Sequence, residues 1–234
     1  GRPMGTAAQF IVLPAAQAVA LPDCVPDEAG ACLGIPALTA LHAVLMAGGV
    51  QGQRVLVAGG AGAVGHYAVQ FARRLGAAQV LATTSTPAKA ELARAAGADT
   101  VVDYRSADAA AQLLSATKGQ GVDRIIEVDI AANAALDLEV LRPGGTCVVY
   151  GSGQGRFELP FFPLISRNVS MLFFIVYALS EADRRRAEAT LTRLLVHGGL
   201  QHQIGERFAL ADLVRAHEAV EQGRVLGNVV VALP

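Results

Sequence analysis

The sequence has only three cysteines and almost no net charge, and each of these shortages argues against a class of protein. Cys24, Cys32 and Cys147 are too few and too scattered for a disulfide framework or a structural zinc site. A net charge of −1, from 19 basic and 20 acidic residues, argues against non-specific nucleic-acid binding. With 53% hydrophobic and 17% charged residues, the 234-residue chain is too apolar for disorder and long enough to bury a large core.

Neither a secretion signal nor a membrane span is expected. Residues 1–5 carry no apolar segment behind a basic start. Residues 171–179 are apolar but far shorter than the ~20 residues that a spanning helix needs. Residues 29–50 are long enough, but they include Pro36, His42 and several glycines, so we predict a buried helical segment there. The few, scattered cysteines make a reducing, cytoplasmic location the expectation.

Short strands alternate with helices from Gln51 onward. Six apolar runs are predicted as strands: 54–58, 79–83, 100–104, 123–128, 146–150 and 169–176. The first four are each followed by a predicted helix: 63–75, a helix capped by Thr86 that ends at Gly97, 108–117 and 131–141. Strands that are apolar along their length and separated by helices are typical of a parallel, doubly wound α/β sheet.

The two ends of the chain depart from this alternation. Residues 7–14 and 18–22 are predicted as strands, and a helix is predicted from residue 26 or 27 to 47. Residues 151–163 are predicted as a loop, and Ser180 is predicted to start a long helix that ends near His197. The tail is predicted as a strand at 206–208, a helix at 211–222 and a strand at 228–233.

A glycine-rich segment, GAGAVG at residues 60–65, matches the G-x-G-x-x-G pattern directly after a strand and at the start of a helix. Gly60 is expected to allow the tight turn, Gly62 to let a pyrophosphate approach the backbone, and Gly65 to let the helix pack closely on the strand. The free amides and positive end of that helix attract phosphates. The pattern predicts a Rossmann dinucleotide site, with a glycine-rich turn of another α/β protein as the alternative. No Gly-Lys-Ser/Thr follows, which excludes a Walker-type loop.

The residues after the second strand favour NADP(H) over NAD(H). NAD-binding proteins usually place an acidic residue ~20 residues after the loop, and residues 83–86 (TTST) offer none. Ser85 and Thr86 can donate hydrogen bonds to a 2′-phosphate, Lys89 can supply a positive charge, and Tyr104 can add a hydroxyl. Lys89 as an ordinary surface lysine and Tyr104 as a packed ring remain the alternatives.

Three segments together resemble the medium-chain dehydrogenase/reductase superfamily: VAGGAGAVG at 57–65, GIPALTA at 34–40 and LRPGG at 141–145. GVDRIIEV at 121–128 and GAD at 97–99 are similar to its quinone oxidoreductase, zeta-crystallin-like branch. The resemblance implies the end of a GroES-like β-barrel catalytic domain and a connecting helix over 1–50. It further implies an NADP-binding Rossmann domain over 51–203 and a return to the catalytic domain over 204–234. Only residues 5–22 resemble that barrel's last strands, and its earlier part has no counterpart in this chain.

The resemblance implies zinc-independent transfer of hydride from NADPH to a small quinone or an activated alkene. The coenzyme would carry the chemistry while the protein orients it, and no catalytic residue is assigned. An enoyl-thioester reductase of the same superfamily and a non-catalytic NADPH-binding module remain alternatives. The apolar segment 169–176 is expected at the sheet edge, where the family pairs two copies into a homodimer. Neither nucleic acid nor a membrane is an expected partner.

The resemblance also implies positions for the coenzyme. The pyrophosphate would be held by Gly60, Ala61, Gly62, Ala63 and Val64, and the 2′-phosphate by Ser85, Lys89 and Tyr104. Thr39 would lie near the nicotinamide, and Asn228 would close the site from the tail. The ribose and nicotinamide would be lined by Val128, Tyr150, Gly151, Ser152, Phe174, Ile175 and Val176.

No zinc is expected. Zinc-dependent relatives place a cysteine four residues before the threonine that matches Thr39, and this chain has Ile35 there. Cys32 is instead expected to be a buried free thiol. His66, just after the glycine-rich segment, is expected on the helix surface, and Asp129 is expected to be a turn carboxylate.

Overall fold

The computed structural model describes residues 6–234 and is built around one parallel six-stranded sheet. The strands are β1 (Arg54–Val57), β2 (Gln79–Thr84), β3 (Thr100–Asp103), β4 (Val122–Glu127), β5 (Leu141–Val149) and β6 (Ser170–Phe173). Their spatial order is β3-β2-β1-β4-β5-β6, and every neighbouring pair is parallel. This is the strand order of the doubly wound dinucleotide-binding fold, so the predicted fold class is confirmed.

Helices cover both faces of the sheet. They are α1 (Asp27–Ala31), α2 (Leu38–Leu45), α3 (Ala63–Arg74), α4 (Pro87–Ala95), α5 (Ala109–Ala116), α6 (Ile130–Val140), α7 (Phe161–Ser166), α8 (Glu181–His197) and α9 (Leu213–Glu221). Because successive strand residues face opposite sides, Val55 and Val57 of β1 pack with α2, α3 and α8. Leu56, between them, packs with α5 and α6 on the other side.

The long apolar segment before the sheet is helical and buried, as predicted. It runs through α1, a π-helical turn at Leu33–Ala37 that contains Pro36, and α2, and it ends in a 3-10 turn at Met46–Gly48. Arg124 of β4 donates hydrogen bonds to the Met46 and Ala47 carbonyls at 2.7 and 3.2 Å. These bonds occupy carbonyls that the helix end would otherwise leave without partners. None of the helices in the described range is long and apolar enough to cross a bilayer.

Several predictions for the ends and connections were wrong. Residues 7–14 and 18–22 form no strand, since they pair with none of the strands in the described part of the chain; Phe10 and Val12 are 90% and 97% exposed. The expected loop at 151–163 ends early, where α7 begins at Phe161. Leu141 already pairs with Val122, so β5 starts directly after α6 and includes the Pro-Gly-Gly that was expected to separate them. The expectation for residues 1–5 lies outside the described range.

The tail forms a small layer of its own. Strands β7 (Ile204–Ala209) and β8 (Asn228–Ala232) pair in parallel and are connected through α9. Phe208 packs there with two alanines of α9. Arg207 of β7 forms an ion pair with Glu28 of α1 at 2.7 Å, which ties the tail to the helical segment before the sheet. The division into parts at residues 50 and 203 remains a prediction.

Candidate coenzyme cleft

A cleft of about 670 Å³ opens at the carboxyl ends of β1, β2 and β4. The turn between β1 and α3 forms one wall, the residues after β2 and β4 lie to either side of it, and part of the tail faces it. In open α/β sheets, ligands bind outside the carboxyl ends of the strands at the point where strand order reverses. That point lies between β1 and β4 here. The cleft therefore lies where proteins of this fold bind a dinucleotide.

The turn after β1 uses its glycines differently from the prediction. The left-handed residue is Gly59, with φ +64°, and not Gly60. Gly60 is needed for packing instead, because a Cβ on it would lie 2.6 Å from the Ala82 Cβ of β2. A Cβ on Gly65 would overlap the Gly59 carbonyl, so the close approach of helix to strand that was expected of Gly65 is confirmed.

The start of α3 presents free backbone donors to the cleft. The Gly62 amide closes the turn by donating to the Gly59 carbonyl at 2.8 Å, and the first helical bond runs from His66 to the Gly62 carbonyl at 2.9 Å. The amides of Ala63, Val64 and Gly65 therefore precede the first helical donor, His66, and have no acceptor within the helix. All three residues line the cleft, and the positive end of the helix dipole adds attraction for an anion.

Polar side chains follow β2 on one side of the turn. Thr83 accepts a hydrogen bond from the Gly59 amide at 3.2 Å, which fixes the turn against β2. The Lys89 ammonium lies 3.4 Å from the Ser85 hydroxyl, and the Lys89 amide donates to the Thr86 hydroxyl that caps α4. Of the described residues that line the cleft, Lys89 carries the only ammonium or guanidinium group.

Asp103, at the end of the neighbouring strand β3, is already paired. Arg105 holds both of its carboxylate oxygens, at 3.0 and 2.7 Å. These hydrogen bonds lower the pKa of Asp103 to about 2, so the pair is ionised and close to neutral overall at physiological pH. Neighbouring Tyr104 lines the cleft and is 46% exposed.

The residues after β4 form the opposite side. Asp129 caps α6 by accepting from the Ala132 amide at 3.4 Å, and it also accepts from the Gly153 amide at 2.7 Å. Asn133, one turn into α6, donates through its side-chain nitrogen to Glu127 at 2.8 Å. Asp129 is thus a turn carboxylate, as predicted, and it lines the cleft together with Asn133 and Val128.

Two buried carboxyl groups lie beneath this side, and the sequence reasoning missed both. Glu127 is 0% exposed and Asp137 of α6 is 3% exposed. Burial raises the pKa of each, and the Glu127 charge raises the pKa of Asp137 further. Burial also raises the pKa of nearby Tyr150, so its phenol stays protonated. The signal that could have revealed Glu127 is an acid directly after the two isoleucines of β4, followed by an Asn in the first turns of the next helix.

The cleft brings together part of the predicted coenzyme residues. Those that line it are Ala61, Gly62, Ala63, Val64, Ser85, Lys89, Tyr104, Val128 and Tyr150. Those that do not line it are Thr39, Gly60, Gly151, Ser152, Phe174, Ile175, Val176 and Asn228. Thr39 is buried in α2, Phe174 packs edge-on against His42, and the Asn228 side chain donates to the Gln203 carbonyl at 3.0 Å.

The tail contributes a wall that sequence reasoning assigned only to Asn228. The lining residues there are Val220, Gly223, Val225, Leu226, Gly227 and Val229. They approach the cleft because the turn between α9 and β8 folds toward the glycine-rich segment. The turn and the glycine-rich segment are far apart in the sequence, so no local sequence pattern predicts that they come together.

The prediction for His66 was wrong. Its side chain is 2% exposed, because α3 is covered on that face, and burial lowers its pKa. Cys32 is buried, as predicted, and its thiol lies 3.3 Å from the Glu28 carbonyl oxygen. Within residues 6–234, no group of three or more His, Cys, Asp or Glu side chains could hold a metal ion.

The strand order, the free amides of α3 and the cleft together define a doubly wound, dinucleotide-binding protein. Residues 63–195 match the family model described as zinc-binding dehydrogenase. The chain belongs to this family, within the medium-chain dehydrogenase/reductase superfamily, which confirms the resemblance. It is 30% identical over 204 residues to a quinone oxidoreductase of Pongo abelii, covering 87% of this chain and 61% of that protein.

Solved structures show the same fold over most of the chain. An NAD-dependent alcohol dehydrogenase superimposes with a TM-score of 0.88 at 29% identity, over 98% of this chain and 66% of that one. A mycobacterial protein in complex with NADPH superimposes with a TM-score of 0.79 at 28% identity, over 90% of this chain and 66% of that one. The chain therefore spans about two thirds or less of these relatives.

Proposed function

We propose that this chain is the coenzyme-binding part of an oxidoreductase that transfers hydride from NADPH to a quinone or an activated alkene. The observation that carries the proposal is the cleft, in which free amides of α3 lie beside Ser85 and Lys89. The similarity to the quinone oxidoreductase of Pongo abelii supports the substrate class. The segments 1–50 and 204–234 would contribute to the catalytic part of such an enzyme.

The residues present fit a dinucleotide. Ala63, Val64 and Gly65 offer backbone donors for a pyrophosphate, and a Cβ on Gly62 would meet only the Gly59 carbonyl oxygen, at 3.3 Å. Internal packing thus does not demand a glycine at residue 62, whereas close approach by a phosphate does. When bound, reduced nicotinamide would supply the hydride. The chain's own residues would bind the phosphates, orient the ring and exclude water.

The charge distribution favours NADPH over NADH. Lys89 and Ser85 follow β2, where a dinucleotide places its adenosine ribose, and the neighbouring acid Asp103 is neutralised by Arg105. Asp129 is the one carboxylate among the described lining residues, and it belongs to the opposite side, after β4. A 2′-phosphate would therefore meet a cation and hydroxyl donors, and no unpaired acid.

The test of coenzyme preference is the Lys89→Ala variant. Loss of a charge-assisted contact to a phosphate should weaken NADPH binding about tenfold and leave NADH binding within twofold. Fluorescence titration of each coenzyme against the full-length protein measures both constants. Arg94→Ala is the matched control, because Arg94 lies on the same helix and is paired with Glu91. Equal weakening of NADH and NADPH would contradict the proposed phosphate contact.

The test of activity compares two electron acceptors. The full-length protein should oxidise NADPH in the presence of a simple quinone, and the rate should persist after prolonged dialysis against a zinc chelator. Turnover with a crotonyl thioester and none with the quinone would instead identify an enoyl-thioester reductase. Binding of NADPH without turnover of either would leave the non-catalytic module as the correct description.

A further inference from the structure

The proposed function gives no role to the buried acid at the end of β4. One oxygen of Glu127 (Oε1) accepts two hydrogen bonds, from the Asp129 backbone amide and from the Asn133 side-chain nitrogen. The other oxygen (Oε2) and Asp137 Oδ2 are both buried and receive no bond from any other described residue. Two carboxyl groups in this position share one proton, with the protonated acid donating to the other.

Glu127 fixes which atom Asn133 presents to the cleft. An ionised carboxylate only accepts hydrogen bonds, so the Asn133 amide must turn its nitrogen toward Glu127. The amide oxygen is then left for the cleft that Asn133 lines. An exposed carbonyl-type oxygen is an acceptor suited to a sugar hydroxyl.

The strand order identifies the sugar. The phosphate-binding turn follows β1, β2 lies on one side of β1, and β4 lies on the other. A dinucleotide that places its adenosine ribose after β2 and its pyrophosphate at the turn must extend its second ribose toward β4. Asn133 therefore lies on the side of the nicotinamide ribose.

Resting on the proposed function, we propose that Glu127 is a positioning residue that orients the Asn133 amide oxygen to bind a hydroxyl of the nicotinamide ribose. Its hydrogen bond to the Asp129 amide fixes the start of α6 at the same time. Asp137 supplies the proton that allows two carboxyl groups to remain buried side by side. Among the other titratable groups around this pair, Asp129 raises the pKa of Glu127 from the cleft, and the two acids in turn raise the pKa of Cys147, while Glu127 also raises that of Tyr150.

The decisive variant is Asn133→Asp, which leaves Glu127 and Asp137 untouched. It keeps an acceptor oxygen of the same size but loses the donor to Glu127 and adds a like charge beside it. NADPH should bind about tenfold more weakly in the full-length protein. Asn133→Leu should show a similar loss. Glu127→Gln is the conservative variant of the positioning residue: because its amide oxygen can still accept both bonds while its nitrogen donates to Asp137, it should keep the Asn133 orientation and bind NADPH within about twofold of wild type.

A second ligand separates positioning from general damage. The compound 2′,5′-ADP carries the adenosine half alone, so its affinity should stay unchanged in all three variants. Unchanged NADPH affinity in Asn133→Asp would overturn the inference while leaving the proposed function intact, as would parallel weakening of NADPH and 2′,5′-ADP. If the wild-type protein bound neither ligand, the proposed function itself would fail and the inference with it.

Discussion

Gly62 and Gly65, three positions apart in the segment that follows β1, show that one glycine can be needed for ligand binding and another for folding. Gly65 has no room for a side chain, because a Cβ would overlap the Gly59 carbonyl and lie 2.8 Å from its carbon. Gly62 has ordinary extended backbone angles, φ −75° and ψ 169°, and only one moderately close neighbour. Gly65 is therefore required by the packing of the protein, and Gly62 by the proposed ligand.

We predict opposite effects of alanine at these two positions. Gly65→Ala should lower the free energy of unfolding by about 1–3 kcal/mol, the usual cost of overpacking. Gly62→Ala should change stability by less than about 1 kcal/mol but weaken binding of both coenzymes. Urea unfolding and coenzyme titration of the two variants measure this contrast. Coenzyme binding by Gly62→Ala as tight as wild type would show that phosphate does not approach residue 62.

Buried His66 should make stability fall in mild acid. Burial holds the pKa of His66 below its ordinary value. Below pH ~6.5 the imidazole is therefore protonated in the unfolded chain while it is still neutral in the folded state. The stability that comes from keeping His66 neutral is therefore fully present above pH ~6.5 and is lost as the pH falls toward the folded pKa.

The measurement compares unfolding of wild type and His66→Leu between pH 5 and 7.5. The variant should lose less stability on acidification, while His42 and His202, whose pKa values burial also lowers, keep part of the slope. Asp137, whose pKa is raised in the folded state, makes the protein more stable on acidification, which opposes the effect of His66. This contribution is the same in wild type and variant, so it cancels when the two are compared. If the stability of the two proteins depended on pH identically, His66 would bind its proton as readily in the folded state as in the unfolded chain.

At the scale of elements, capping side chains fix where helices begin. The Ser180 hydroxyl accepts from the Asp183 amide at 3.1 Å and starts the 17-residue helix α8. Ser180→Ala should cost about 1 kcal/mol in unfolding free energy. Ser115→Ala, on the exposed face of α5, is the control and should be neutral or slightly stabilising. Equal effects of the two substitutions would argue against a capping role.

Elements with such local signals were predicted from the sequence alone. Thr86 and Pro87 mark the start of α4, and apolar runs mark β1 to β4, since capping and burial patterns need only neighbouring residues. Residues 7–14 have the composition of a strand but pair with nothing, because pairing requires an edge supplied from elsewhere. Composition indicates what a segment can form, and only tertiary context decides whether it does.

The candidate site follows the same rule. The glycine-rich segment and Lys89 were predicted, since the motif and its spacing are local. The placement of Asn133 over Glu127 and the approach of the tail near Leu226 were not, because they depend on contacts between elements. His66 was misplaced because the sequence does not show which face of α3 is covered.

At the scale of the whole molecule, β6 lies at the edge of the sheet, as predicted, and its surroundings are apolar. Phe173, Ile175 and Tyr177 are 56%, 56% and 68% exposed, and Phe157 packs near Phe173. An exposed apolar strand edge favours pairing with a second copy. The expected homodimer through 169–176 therefore remains a prediction with a defined surface.

Light scattering of the full-length protein should report a dimer, and Phe173→Lys should convert it to a monomer. A lysine on an edge strand opposes pairing, because its charge must stay hydrated. Val214→Lys is the control, as Val214 is also well exposed, at 71%, but lies on α9 and not on the edge strand. A wild-type monomer, or a dimer that survives Phe173→Lys, would contradict the predicted interface.

The central position of β1 has a consequence for synthesis on the ribosome. Its partner β4 begins 68 residues after β1 begins, at residue 122 against residue 54. At about 5–20 residues per second, translation leaves the side of β1 that pairs with β4 without a partner strand for about 3–14 s. During that interval the nascent chain carries an unpaired, apolar edge on β1. We expect a chaperone to be most useful to the protein at this stage of synthesis.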